Sequence, residues 1–350
     1  MKSAVLGIET SCDETSAALW VDDSLAAERT TTQLLHSQYG GVVPELASRA
    51  HEQLLAPAVR GVCEDAGLSM RDLTAVAVTN GPGLAGALLV GLSFAKGLAL
   101  TAGIPLLGVN HLEGHLWSAT ASGQQVECPF LALLISGGHT MMVKVRAFGE
   151  YQVLGGTRDD AAGELLDKTG RMMGYPFPAG ANLDRDRLLY DRSAKQSPIP
   201  RFPRARIADD PLSFSFSGLK TAVLYYMRRN YNMQDGKFQL DDQERVAISA
   251  GIMDAVGDIL INGLEAAFNG PELRGLVVAG GVAASRYLTS RFQEFTSRRG
   301  IAFWAPPFNL CTDNAAMIAY VGRRRLQRGE SSPLDLSLNP TASLESFSAK

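Results

Sequence analysis

The sequence predicts an α/β protein assembled from two copies of one lobe. An apolar strand, a turn rich in glycine and hydroxyl side chains and an immediate return strand occur at residues 4–20 and again, about 126 residues later, at 130–145. Each pair is followed by apolar runs alternating with segments of helical period, the sign of a duplicated layer. At 350 residues the chain is long enough for two domains, and strands alternating with helices argue for sheets covered by helices.

Residues 4–9 (AVLGIE) read as a strand, 10–15 as a polar turn and 16–20 as the returning strand. Pro44 stands at a helix start, and Leu46, Ala50, Leu54 and Val62 continue the helical spacing to Gly67. Residues 74–79 form a buried strand, Asn80-Gly-Pro-Gly83 a break, 84–100 an apolar helix and 106–109 a further strand. In the second half, residues 130–136 and 141–145 flank the turn Gly137-Gly-His-Thr140. Residues 159–168 read as a helix with an acidic first turn, which its dipole favours. Residues 175–212 are the least regular stretch, rich in Pro, Asp and Arg, and helical patterns resume at 217–229 and 241–268. Strand 276–279 enters Gly280-Gly281 and a helix, and a strand at 302–305 and a helix at 314–326 close the core. The expected division is a lobe of residues 1–115 completed by a helix within 306–330, a lobe of 116–305 carrying the insert 175–212, and a loosely packed polar tail, 331–350.

Lys plus Arg number 33 and Asp plus Glu 36, a net charge of −3, which excludes a protein that coats nucleic acid through bulk charge. A local basic patch remains open: residues 185–206 hold seven basic side chains (Arg185, Arg187, Arg192, Lys195, Arg201, Arg204, Arg206) against Asp186 and Asp191. Such runs are usually solvated faces, and Arg228-Arg229, Arg298-Arg299 and Arg323 to Arg325 also suit helix C-termini. Hydrophobic residues at 46% and charged residues at 20% exclude a disordered or disulfide-stapled chain. The four cysteines form no C-x-x-C pair, so reduced thiols and a cytoplasmic protein are expected. The first apolar run is too short for a signal peptide, and the apolar stretch 83–109 is interrupted by Lys96, glycines and Pro105, so no membrane span or membrane partner is expected.

His111-Leu-Glu-Gly-His115 puts two imidazoles at i and i+4 on one helix face, within reach of one metal ion. The protease pattern H-E-x-x-H needs its glutamate directly after the first histidine; Glu113 comes two residues later and points off that face. A third ligand must come from elsewhere. Asp313 reads either as such a group or as the N-cap of the last helix. The turns at 10–15 and 136–140, and Gly280-Gly281, suit a phosphate approaching the backbone, or are ordinary tight turns.

Seven strings closely resemble the TsaD family, the tRNA N6-adenosine threonylcarbamoyltransferases: Gly7-Ile-Glu-Thr-Ser-Cys-Asp-Glu-Thr15, Gly40-Gly-Val-Val-Pro-Glu-Leu-Ala-Ser-Arg49, Asn110-His-Leu-Glu-Gly-His115, Ser136-Gly-Gly-His-Thr140, Asp159-Asp-Ala-Ala-Gly-Glu164, Ser215-Phe-Ser-Gly-Leu-Lys-Thr221 and Cys311-Thr-Asp-Asn314. They run in order from about residue 4 to 326. The resemblance implies two ribonuclease-H-like lobes of the actin, sugar-kinase and Hsp70 (ASKHA) type with a nucleotide in the cleft between them. It also implies transfer of a threonylcarbamoyl group from threonylcarbamoyl-adenylate to N6 of the adenosine 3′ of the anticodon, with AMP leaving. By the same resemblance His111, His115 and Asp313 hold a divalent metal, usually described as iron and sometimes zinc. Leu134, Ile135, Ser136, Gly137 and Gly138, with Asp167, Gly180 and Asp184, line the adenylate site. Asp13 and Glu14 face the reacting end; general-base chemistry, apart from the resemblance, makes Asp13 the expected relay for the departing proton. TsaB and TsaE, with TsaC or its relative supplying the adenylate, are the implied partners beside tRNA. The apolar helix 84–100 reads first as core, with a docking face as the alternative. A kinase or ATPase on the same fold leaves the histidines without a role; a non-catalytic scaffold would work without metal.

The chain departs from the family pattern at Ala179 and Ala181, where Pro-Gly-Gly-Pro is usual, and at Ser285, where the Gly-Gly-Val-x-x-Asn motif has asparagine. Serine is shorter and reaches the adenosine only through water, so adenylate affinity is expected to be weaker than with asparagine. Titration of Ser285→Asn with the adenylate checks this: tighter binding is expected, and unchanged affinity removes the explanation.

Overall fold

The computed structural model describes residues 3–192, 197–268 and 272–347. The chain divides into two units, residues 1–126 with 306–350 and residues 127–305. The boundary lies at 126/127 and not at the expected 115/116, because helix α3 (His111–Ala121) packs on the last helix of the first unit and belongs with it.

In the first unit β1 (Ala4–Glu9), β2 (Glu14–Val21) and β3 (Ser24–Thr32) form an antiparallel meander. After α1 (Pro44–Asp65), β4 (Ala75–Gly81) pairs parallel with β1; after α2 (Ala85–Ala102), β5 (Leu106–Asn110) pairs parallel with β4. The order is β3-β2-β1-β4-β5. Alternation along β1 sends Leu6 and Ile8 into a core with Leu55, Val59 and Leu92 of α1 and α2. Val5 and Gly7 face the other way. There Gly7 has no room for a side chain: a Cβ would lie 2.4 Å from the carbonyl oxygen of Ala315 and 2.6 Å from the nitrogen of Ala319.

The second unit repeats the pattern. β6 (Phe130–Ile135), β7 (Thr140–Ala147) and β8 (Glu150–Gly156) form the meander, followed by α4 (Ala162–Met172), α5 (Gly180–Tyr190), α6 (Ser217–Asn230), a short hairpin of β9 (Met233–Gln234) and β10 (Lys237–Phe238), and α7 (Asp242–Ala267). Then come β11 (Gly275–Ala279), α8 (Arg286–Arg299), β12 (Ala302–Trp304) and, back in the first unit, α9 (Ala315–Gln327). The order β8-β7-β6-β11-β12 has the same two antiparallel and two parallel pairings as the first sheet. The third strands, β3 and β8, are absent from the sequence reading: β3 is polar and largely exposed, so burial imposes no apolar alternation on it.

Helices α2 and α7 are long and apolar enough to cross a membrane by length and composition. Each instead packs a face into its own unit, α2 through Ala87, Leu88, Leu92 and Ala95, α7 through Ile248, Ile252, Val256 and Leu260. The region read as irregular contains a full helix, α5, which packs on α7. Its basic run is partly consumed internally: Arg187 pairs with Asp254 (2.8 Å) and Asp191 (2.7 Å), and Arg204 with Asp258 (2.8 Å). Arg206 donates to Asn262 at 2.6 Å, and Lys195 lies outside the described residues. Arg192 and Arg201 remain exposed.

The tail also differs from expectation. Ser332 joins β5 through its N–H to Leu106 O (2.7 Å) and accepts from Gly108 N at 3.0 Å. Asn339 N donates to Asn80 O (2.7 Å), Gly83 N to Pro340 O (3.1 Å), and Leu336 and Leu338 pack against the core. The alternation Leu334-Asp335-Leu336-Ser337-Leu338 is a strand-like signal that average polarity hides. Leu344 is fully buried. Leu344→Ala is expected to cost about 2–5 kcal/mol in denaturant unfolding; a loss under about 0.5 kcal/mol, the range of surface changes, means the tail is only loosely held.

Candidate active site

The end of β1, the start of α3 and the approach to α9 converge in the first unit. Asn110 caps α3, accepting from Leu112 N (2.8 Å) and Glu113 N (3.3 Å), which fixes the first turn and both histidines on it. The Asn110 amide in turn donates to Ser343 O of the tail at 3.3 Å. Asp313 does not cap α9; Asn314 does, accepting from Met317 N at 3.0 Å. The Asp313 carboxylate is thereby released toward α3, with one oxygen 3.1 Å from His115 Nε2 and 3.4 Å from His111 Nε2.

The ligand atoms of His111, His115 and Asp313 lie within 4.8 Å of one another. His111 Nδ1 faces Glu9 Oε2 at 3.0 Å and Ser11 Oγ at 3.2 Å. Glu9 is itself held by Thr79 (2.6 Å) and Ser11 N (2.5 Å). A carboxylate on Nδ1 directs the proton there and leaves the Nε2 lone pair for a metal. Two buried imidazoles and a carboxylate fit a divalent transition metal of the zinc or iron kind. Among the described residues His115 Nδ1 is buried without a hydrogen-bond partner, so the ring is positioned by its Nε2 contact to Asp313 and by packing, including an edge-on contact with His111.

The electrostatics are strongly coupled. Burial by itself pushes the His111 imidazole down, but Asp313 and Glu9 outweigh it and raise it well above its ordinary value. Asp313 moves the opposite way: burial pushes it up, and the two histidines hold it far below the carboxylate range. Burial, then the Asp313 and Asp13 carboxylates, push Glu14 up to about 10. The turn carrying Asp13 and Glu14 is pinned by groups the sequence reading missed. Cys12 O accepts from His51 Nε2 (3.0 Å), which leaves His51 Nδ1 to accept from Thr15 Oγ1 (2.8 Å). Burial lowers the His51 pKa, in keeping with this neutral form. Its spacing on α1 looks like one more helix position, and only the fold brings it to residue 12.

Glu113 turns away from the histidine face, as its position in the motif predicts. It is fully buried and accepts from Arg325 Nη2 of α9 at 2.7 Å, and Arg325 also reaches Glu330 at 2.9 Å. This brace locks α3, which carries both histidines, against α9, which Asp313 immediately precedes.

The second unit holds the other predicted residues. Leu134 and Ile135 end β6 in the core; Ser136 N donates to His139 O (2.8 Å), and Gly137 and Gly138 are exposed with open space where a side chain would stand. Helix α4 abuts this turn, since a Cβ on Gly163 would lie 2.5 Å from Ser136 O. Gly280, at φ +95°, has its missing Cβ position 2.5 Å from Ile135 O. Asp167 accepts from Ala179 N at 2.7 Å, which holds the turn preceding Gly180 despite its two alanine departures. Asp184 and Ser285 meet directly: the serine hydroxyl donates to the Asp184 carboxylate, which also accepts from Arg286 N (3.1 Å) and Tyr287 N (3.0 Å). Ser285 caps α8 through Leu288 N at 3.1 Å, a role asparagine also fills well.

Two units with this strand order, one carrying a His–His–Asp group, define an ASKHA-type α/β protein with a candidate metal centre. The fold is shared with the activator of 2-hydroxyisocaproyl-CoA dehydratase from Clostridium difficile with bound ADPNP, at a TM-score of 0.53 and 14% identity over 95% of this chain and 99% of that one. The chain belongs to the TsaD family, tRNA N6-adenosine threonylcarbamoyltransferase, whose family model matches residues 24–320. It is 43% identical to the Salinibacter ruber tRNA N6-adenosine threonylcarbamoyltransferase over 97% of this chain and 99% of that protein. It is 45% identical to the Nitrosospira multiformis protein of the same name over 93% and 92%.

Asp313→Ala is expected to abolish stoichiometric bound metal by elemental analysis. Arg325→Ala takes the guanidinium away from the fully buried Glu113 carboxylate and is expected to cost up to about 3–5 kcal/mol of stability by denaturant unfolding.

Proposed function

We propose that this protein transfers the threonylcarbamoyl group of threonylcarbamoyl-adenylate to N6 of adenosine-37 in tRNAs reading ANN codons, forming threonylcarbamoyladenosine and releasing AMP. The observation that carries the reading is full-length similarity to relatives named for this transfer, joined by the His–His–Asp group. The adenylate is assigned to the second unit: the open Ser136-Gly137-Gly138 backbone and the first turn of α4 face its phosphate, while Asp167, Gly180, Asp184 and Ser285 frame the nucleoside. His111, His115 and Asp313 would hold a divalent ion, iron by the family's usual description or zinc, supplying Lewis acidity toward the carbamoyl carbonyl or phosphate. The exocyclic amine is a poor nucleophile, so positioning supplies much of the rate. Asp13, on the turn pinned by His51, accepts the departing proton. Glu14, protonated at neutral pH, serves as a hydrogen-bond donor beside it.

TsaB and TsaE are the proposed protein partners, with TsaC or its relative making the adenylate in the cytoplasm. The outward face of α2 supports a TsaB contact: Leu89 and Leu100 are more than half exposed beside Ser93 and Gly97. Arg192 and Arg201 are the exposed members of the basic run left for tRNA phosphates.

Nucleoside mass spectrometry of unmodified tRNA incubated with the protein, its partners, ATP, threonine and bicarbonate tests the reading. Threonylcarbamoyladenosine is expected from the wild type and not from His111→Ala; no product from either, with verified adenylate supply, favours the scaffold reading. Asp13→Asn is expected to lose about 10²–10⁴ in kcat with metal retained; normal turnover removes the proton-relay role.

A further inference from the structure

We propose that Phe308 is a stacking platform for the anticodon-loop base adjacent to the reacting adenosine. The inference rests on the transfer reaction proposed above and adds to it a substrate contact outside the metal group and the adenylate site.

Phe308 is 77% exposed, among the most exposed large apolar side chains of the described residues. Its backbone is firmly mounted. The ring opens the 3₁₀ turn Phe308–Leu310 directly after Pro306 and Pro307, whose rings fix their φ angles. Leu310 N donates to Pro307 O (2.8 Å) and Cys311 N to Phe308 O (3.3 Å), while the Cys311 thiol donates to Pro306 O (3.5 Å). Leu310 and Cys311 are buried, so the turn is anchored on both sides of the exposed ring. Five residues later the same segment delivers Asp313 to the two histidines. An exposed pair hangs from the other acidic segment: Gln33 N donates to Asp13 O at 3.0 Å, and the 3₁₀ turn that follows displays Leu34 (79% exposed) and Tyr39 (61%). Flat or apolar groups therefore border both backbone segments that supply the acidic residues of the site.

The chemistry of the acceptor explains why. An adenosine N6 reaches a buried metal group only if its base leaves the loop stack, and its neighbour then loses a stacking partner. An exposed aromatic ring five residues before Asp313 would restore that stacking without reading sequence, because every base presents a π face.

The test uses the full chain with its partners, comparing wild type, Phe308→Ala and Phe308→Trp. The binding probe is an unmodified anticodon stem-loop carrying 2-aminopurine beside the target adenosine. Phe308→Ala is expected to raise both the Kd of this probe and the KM for tRNA about tenfold, the effect of roughly 1.4 kcal/mol of stacking. Its kcat, its KM for the adenylate and its melting temperature stay at wild-type values, and Phe308→Trp restores binding and 2-aminopurine quenching. Unchanged Kd and KM in Phe308→Ala overturn the proposal. So does a KM rise that disappears at saturating protein partner, which makes Phe308 a protein-docking residue. The binding arm needs no turnover, so a wild type that forms no threonylcarbamoyladenosine removes the proposed function while the probe still decides the role of Phe308.

Discussion

The candidate metal group depends on the close approach of α9 to the first sheet. Gly7, with no space for a Cβ beside Ala315 and Ala319, and Gly322, whose missing Cβ position lies 2.2 Å from the Cβ of Ala77, let helix and strands meet nearly backbone to backbone. A helix has no such freedom if side chains intervene, because interiors are packed to crystal density and a single methylene is felt. Asp313 sits just before α9, so the depth to which this helix docks sets the position of its carboxylate. The buried Glu113 to Arg325 pair then fixes α3 on the same helix. Two ligands come from one helix and the third from a residue about 200 positions later, yet all three answer to one packing surface.

Around that frame, charge is arranged in pairs that would each be costly alone. Glu9 and Asp313 are buried carboxylates, stabilised in the ionised form by His111 that they in turn hold. Glu14 lacks such a partner and is driven toward its neutral form by the same neighbours. The result is a cluster of acids in which Glu9 and Asp313 face imidazoles, while Glu14 meets further carboxylates. The duplicated unit uses the equivalent hairpin differently: its tip is built from exposed glycines with no buried charge, suited to an anion meeting backbone N–H groups.

Much of this was legible in the chain. The two hairpins, the alternation of strands and helices and the i, i+4 histidines were read directly, because each depends on a local period or spacing. Ser285 and Asp184 were named separately, but nothing in their spacing announces that one hydroxyl donates to the other and both secure the start of α8. His51 gave no signal beyond a helix position. The tail carries its signal in a five-residue alternation inside a segment of polar average, and Leu336, Leu338 and Leu344 each find a place against the first unit. Helix α5 hides for a related reason: its charges go to distant partners, Arg187 to Asp254 of α7, 67 residues away, and Asp184 to Ser285 and the start of α8.

By itself, then, the sequence determined the duplicated α/β lobe, the histidine pair, the glycine turns and the family, since periodicity, spacing and ordered motifs are local properties of a chain. Tertiary structure alone decided that Asn314 and not Asp313 caps α9, that Glu9 and His51 hold the site from behind, and that the tail steadies Asn110. Each of these depends on which distant surfaces have room to touch, and that is fixed by packing rather than by neighbours in the chain.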